Sequence, residues 1–107
     1  MVKLVALYKK PQNVGEFEKR YFEGHLPLAS KIPGLRRMEV SHFIGAPGGE
    51  AEYHLMAELY FDNMDALKAG MSSPEGKEAC KHVMSFAKDI VTMMFAEVEE
   101  KVAVTAK

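Results

Sequence analysis

Apolar positions along this chain follow two alternating rhythms, and the alternation outlines a fold. Val2 to Tyr8 is nearly continuous in apolar, β-favouring character and stops at Lys9-Lys10-Pro11, as expected of a strand covered on both faces. The period then lengthens. Val14, Phe17, Tyr21, His25, Leu28 and Ile32 recur at spacings of three and four, which predicts one inward stripe of a helix. Asn13 is the expected N-cap, with Glu16 placed three residues on to complete a capping box. Pro27 lies inside this stripe. A proline there removes a backbone donor and clashes with the carbonyl four residues earlier, a cost of about 3 kcal/mol. A kink or split near Gly24 is therefore expected, and Pro33-Gly34 ends the helix.

Period two returns in the sequence Leu35 to Ile44, with Arg36, Met38, Val40, His42 and Ile44 on one face and Leu35, Arg37, Glu39, Ser41 and Phe43 on the other. Gly45-Ala46-Pro47-Gly48-Gly49 is a turn-rich connection, longer than a two-residue hairpin loop. A third strand spans Tyr53 to Phe61, with Tyr53, Leu55, Ala57, Leu59 and Phe61 opposed to His54, Met56, Glu58 and Tyr60. A second helical region starts at Asp62 or Asn63 and restarts at Ser73-Pro74, a serine cap followed by proline in the first turn. Ala79, Val83, Phe86 and Ile90 form its stripe. Val91 to Val98 is the last strand, and Lys101 to Lys107 reads as a peripheral tail after a single domain over residues 1–100.

The order β-α-β-β-α-β predicts an α+β fold of the ferredoxin-like kind, an antiparallel sheet with both helices on one face. Much of the sheet's other face is also apolar in the sequence. Its simplest cover is a second copy of the same sheet, giving a homodimer through sheet packing that buries on the order of 2,000 Å² or more.

Composition narrows the class of partner. The 107 residues are 48% hydrophobic and 27% charged, ordinary for a folded domain, and the net charge is −1. A balance so close to neutral gives no electrostatic case for nucleic acid. One cysteine, Cys80, excludes an intrachain disulfide and suits a reducing compartment. The first apolar run is too short for a secretory core, and no segment approaches bilayer length. The expectation is a cytoplasmic protein with no membrane contact.

His25 is the leading candidate for chemistry, because a neutral imidazole exchanges protons near working pH. A break at Pro27 frees carbonyls near Phe22 and Glu23, so His25 either serves a bound ligand or donates to one of these and holds the kink. Tyr21, one turn earlier on the stripe, is placed to orient that ligand, with Tyr8 and Tyr60 at strand ends as further binding candidates. His42 and His54 lie on the two hairpin strands and are candidate ligand contacts, as a cross-strand pair if the register permits. His82, beside Lys81, is expected to face solvent. No histidine pair has helical i, i+4 spacing and no Cys-x-x-Cys or His-x-His occurs, so no metal motif is legible, although distant positions can still assemble one. Haem ligation lacks any supporting pattern. Cys80 is expected to be a small buried hydrophobe, and Met38, Met56, Met84, Met93 and Met94 to fill the core or line an adaptable apolar cavity.

The helix ending His25-Leu26-Pro27-Leu28, the exit Ile32-Pro33-Gly34-Leu35-Arg36-Arg37 and the βαββαβ order resemble the EthD family, named after a gene cluster for ethyl tert-butyl ether degradation. The resemblance runs from Val2 to about Val98 and implies a dimeric α+β barrel with a pocket in each subunit between sheet and helices. Similar folds host cofactor-independent monooxygenases, muconolactone isomerases and polyketide cyclases, and some bind haem. The resemblance does not choose a reaction; the first expectation is a small-molecule pocket protein, a cofactor-independent enzyme of isomerase, cyclase, lyase or monooxygenase type acting on a small apolar or aromatic molecule in catabolism of an organic compound. His25 would move the proton and no cofactor would take part. A non-catalytic binding dimer that supports a partner oxygenase, and a purely structural homodimer, are the alternatives.

Overall fold

The computed structural model describes residues 1–99. Four strands, β1 (Val2–Lys9), β2 (Arg37–His42), β3 (Tyr53–Phe61) and β4 (Val91–Glu97), form one sheet in the order β2-β3-β1-β4. Every pairing is antiparallel. The helical segments are α1 (Val14–Lys19), a π-helical stretch Arg20–His25, α2 (Leu26–Ala29), α3 (Met64–Ser72) and α4 (Pro74–Ala87). This is the expected βαββαβ order, with the second helical region divided at Ser73. The expected tail, Lys101 to Lys107, lies outside the described residues.

Register decides which face of each strand meets the helices. Leu4 opposes Leu59 and Phe95, and Ala6 opposes Ala57 and Met93, so one side of the sheet presents Leu4, Ala6, Ala57 and Leu59 to the core. Phe17, Tyr21, Ala29, Ile32, Leu67, Ala79 and Val83 close over them. The other side carries Lys3, Val5 and Leu7 in β1 against Tyr60, Glu58 and Met56 in β3. There the Lys3 ammonium meets Glu58 at 2.6 Å and the Arg37 guanidinium lies 4.1 Å from the centre of the Tyr60 ring. Val5 and Leu7 remain half-buried in the single chain, and Met94 on the edge strand is exposed. The two-sided cover expected for β1 is therefore incomplete among the described residues.

The caps behave as the sequence suggests, with one difference. The Glu16 N–H donates to Asn13 Oδ1 at 3.0 Å, the Ala66 N–H to Asn63 Oδ1 at 2.8 Å, and the Gly76 N–H to Ser73 Oγ at 3.0 Å. The reciprocal half of the Asn13–Glu16 box is not formed, because the Glu16 carboxylate turns instead to Arg20 at 2.9 Å. Replacing Asn13 with alanine orphans the Glu16 N–H and should cost about 1 kcal/mol, whereas glycine should cost only a few tenths. Urea unfolding of the two variants tests this, and equal losses would contradict it.

Pro27 does not break the helix. The path from Val14 to Ala29 continues through a widened turn in which the Leu26 N–H donates to the Tyr21 carbonyl, five residues back. In an α-helix, four residues overshoot a full turn by about 40°. The wider turn absorbs that drift and keeps Phe17, Tyr21, His25 and Ala29 on one buried line. It also makes room where the proline ring would strike the preceding turn. Gly34, at φ 81°, then turns the chain into β2 in a conformation that disfavours side chains. β2 accordingly starts at Arg37, two residues later than the apolar alternation suggests.

Candidate functional site

Tyr8 from β1, with Tyr21 and His25 from the π-helical stretch, meet beneath the sheet. The Tyr8 ring stands edge-on to Tyr21 at 5.3 Å and to Phe17 at 5.6 Å, while Phe17 and Tyr21 stack at 5.6 Å. Tyr21 is followed by His25 at 5.3 Å. All three side chains border a small cavity of about 30 Å³, roofed by Ala6 and Ala57 and walled by Met38, Met71, Met93 and Cys80. That volume is roughly one water's share of the liquid. A larger guest requires the wall to yield, and methionine, unbranched and with three rotatable bonds, is the side chain suited to do so. A wider depression of about 630 Å³ between Pro11–Arg20 and Met84–Ile90 is open to solvent and carries no histidine.

His25 is 8% exposed and, among the described residues, the one buried histidine, acid or base. Burial, with a smaller contribution from the neighbouring His82 ring, lowers its pKa from 6.5 to about 4. The imidazole is therefore neutral at neutral pH. Its Nδ1 has no hydrogen-bond partner among the described residues, so that nitrogen does not tie down the carbonyls around Pro27. An unpartnered buried polar group costs about 1–3 kcal/mol. Burial also pushes both phenols upward, Tyr8 further raised by the adjacent Tyr21 hydroxyl, so both remain neutral donors at neutral pH.

His82 departs from expectation. It is half-buried rather than solvent-facing, stacked parallel to His25 with ring centres 5.9 Å apart, and its Nδ1 is likewise unpartnered. Gly24 makes this approach feasible: a Cβ there would lie 3.0 Å from His82 Cε1. Gly24 and His82 are far apart in the chain, and no periodicity in α4 announces their meeting.

The remaining sequence candidates separate into two other places. Tyr60 projects from the opposite face of the sheet, its ring flanked by the Lys3 ammonium and the Arg37 guanidinium, and it does not reach the cavity. The two-residue period of β3 sends it away from the helices, so the structure does not bring Tyr60 together with His25. His42 and His54 also lie outside the cavity. They form the anticipated cross-strand pair, with ring centres 5.4 Å apart. Regular alternation would put His54 on the face opposite Leu55. Instead the β1–β3 register shifts between Tyr8 and Lys9, where Tyr8 pairs Leu55 and Lys9 pairs Tyr53. The resulting bulge brings His54 round to the helices, a common way of re-aiming a side chain.

Glu18, which no sequence pattern singles out, receives both rings. Its Oε1 lies 2.8 Å from His42 Nε2 and its Oε2 lies 3.0 Å from His54 Nε2. Burial opposes its ionisation, but the hydrogen bonds from His54 and His42 prevail and hold the carboxyl below its usual value. Phe22 stacks on His42 at 5.5 Å and Phe17 meets His54 edge-on at 5.6 Å. Cys80 is half-buried, at the cavity wall, and Met84 and Met94 are exposed rather than core residues.

Fold and site together describe a ferredoxin-like α+β protein with a buried histidine between its sheet and helices. A profile of the EthD domain matches residues 9–90, and the chain belongs to the EthD family. The chain is 44% identical to an ethyl tert-butyl ether degradation (EthD) family protein from Bacillus halodurans, covering 92% of this chain and 98% of that one at a TM-score of 0.90. It is 29% identical over 99 residues to an uncharacterised 11.0 kDa protein of the thcB–thcC intergenic region of Rhodococcus erythropolis, covering 92% and 96%. A dimeric protein of unknown function and ferredoxin-like fold from Bacteroides fragilis aligns at 25% identity and TM-score 0.62, covering 91% and 95%. SnoaB, a cofactor-independent oxygenase from Streptomyces nogalater, shares the fold at 13% identity and TM-score 0.69, covering 94% and 95%.

Proposed function

We propose that this protein is a cytoplasmic homodimer that binds a small apolar or aromatic molecule between sheet and helices and transfers a proton on it through His25, without a cofactor, in the breakdown of an organic compound. The observation that carries this reading is the neutral, unpartnered imidazole of His25 at the wall of an apolar cavity. A neutral imidazole in such a place accepts a proton from an acidic C–H or O–H of the guest. The Tyr8 and Tyr21 hydroxyls supply donors to an oxygen on the same molecule, and the methionine wall accommodates its apolar part. SnoaB, of the same fold, is an oxygenase that works without a cofactor, which supports cofactor-free chemistry as the reaction class.

The half-covered sheet face supports the dimer. Val5, Leu7, Met56 and Met94 give that face an apolar strip, and several solved neighbours of this fold are dimeric. Homodimers most often associate about a two-fold axis, pairing the same patch of each subunit.

Phenol, small and weakly acidic, is a direct probe. Titration should shift the His25 imidazole resonance saturably, and His25→Leu should weaken binding about tenfold, the loss of one hydrogen bond to the guest. Sedimentation should report a dimer for both proteins. Unchanged phenol affinity in His25→Leu would refute the ligand role, and a monomer would refute the assembly. Binding that depends on His25, with no conversion of any phenol or ketone tried, would favour the non-catalytic binding dimer.

A further inference from the structure

The geometry points to a second site, a binding place for a divalent transition-metal ion of the zinc type held by Glu18, His42 and His54. It stands apart from the His25 cavity and does not rest on the function proposed for it. The three donors come from α1, the end of β2 and the bulge in β3, yet their ligand atoms all lie within 4.8 Å of one another. Both histidines present Nε2 to the two oxygens of one carboxylate, at 2.8 and 3.0 Å. Sequence-distant residues converge here only because the β3 ladder is irregular at His54.

The donor set chooses the ion. Two imidazole nitrogens and one carboxylate oxygen suit zinc and its neighbours in the first transition row, while calcium and magnesium favour all-oxygen shells. Metal bonds of about 2.0–2.1 Å at tetrahedral angles would separate adjacent ligand atoms by roughly 3.3 Å. The ligand atoms, one from each residue, already lie within 4.8 Å of one another, so side-chain rotations bring them to that spacing. Glu18 and His42 retain enough exposure for that adjustment and for an ion to reach them. Phe22 stacked on His42 and Phe17 against His54 hold the rings in place. Three protein ligands leave one position for water, the coordination of an open rather than a purely structural site.

The competing account is a hydrogen-bonded His–Glu–His cluster that never takes a metal. Calorimetric titration of the chelator-stripped full chain with Zn²⁺ separates the two. One ion per chain should bind with micromolar or tighter affinity. His42→Ala and His54→Ala should each weaken it by about 100-fold, since outer partners of a ligand are already worth 10–100-fold. Glu18→Gln should also weaken it, whereas His82→Ala should leave it unchanged. Co²⁺ should develop a visible d–d absorption in the wild type that the His42 variant lacks. Should a variant fail to fold, sub-stoichiometric Zn²⁺ added to the wild type should perturb the His42 and His54 imidazole resonances before those of His25 and His82. No saturable Zn²⁺ binding, or binding that survives loss of both His42 and His54, would overturn the site.

Discussion

Acidification from pH 6.5 to pH 4 should strip about 3 kcal/mol of folding stability through His25 alone. The ring's pKa falls from 6.5 to about 4 on folding, chiefly because burial disfavours its charged form. Between those values the unfolded chain binds a proton that the folded chain refuses, so stability declines as pH falls. Above 6.5 the ring is neutral in both states and contributes no slope. Below about 4 it is charged in both, and the loss is complete. A tenfold difference in proton affinity between the folded and unfolded chain is worth about 1.36 kcal/mol, which sets the total. Glu18 acts in a lower window: its carboxyl is held below the usual value in the folded protein, so its contribution is intact above the unfolded pKa and fades as pH drops through the folded one. Urea unfolding of wild type and His25→Leu at fixed protein concentration, at pH 7 and pH 4.5, isolates the histidine. The wild type should lose roughly 2 kcal/mol more than the variant between these pH values. Parallel losses would mean that His25 titrates normally.

Phe61→Ala should cost about 3–5 kcal/mol, the range for removing a buried aromatic ring. Phe61 is 0% exposed at the end of β3 and opposes Val2 across the ladder. Its ring reaches two glycines that allow close approach: a Cβ on Gly34 would lie 3.8 Å from Phe61 Cδ2, and one on Gly70 would lie 3.0 Å from Cε2. That Cβ on Gly70 would also lie only 2.5 Å from the Pro33 carbonyl oxygen, so α3, the turn into β2 and the sheet close around one ring. Backbone atoms on two sides limit collapse into the void, which places the cost towards the upper end. Chemical denaturation at one protein concentration measures it, since any self-association would make the apparent stability vary with concentration. A loss below about 1 kcal/mol would show that the corner repacks freely.

Much of the fold was legible because it rests on local rules. Asn13, Asn63 and Ser73 cap helices as short polar residues do before an apolar stripe, and each accepts the expected N–H. Alternation in β2 and β3 sorted Met38 and Val40 from Glu39, and Leu55, Ala57 and Leu59 from Met56, Glu58 and Tyr60. Alternation separates two faces without saying which one the helices cover, so it leaves open whether Tyr60 meets the pocket. Alternation puts His54 on the face opposite Leu55, yet the bulge brings it to the helices, and a bulge is a property of two strands for which neither carries a mark. Pro27 announced a disturbance correctly, but the form it took depended on Tyr21 and His25 needing to stay in line over the sheet.

By itself the sequence determined the order of elements, their caps and the apolar line through Phe17, Tyr21 and His25, because these follow from spacings of a few residues and from side-chain chemistry. The tertiary structure alone decided that His82 stacks on His25 over Gly24, that Glu18 receives His42 and His54, and that Tyr60 stands on the opposite face. Each of these is a meeting of residues far apart in the chain. Such meetings depend on register, a one-residue bulge and the approach distance of two elements, none of which leaves a periodic trace in the order of amino acids.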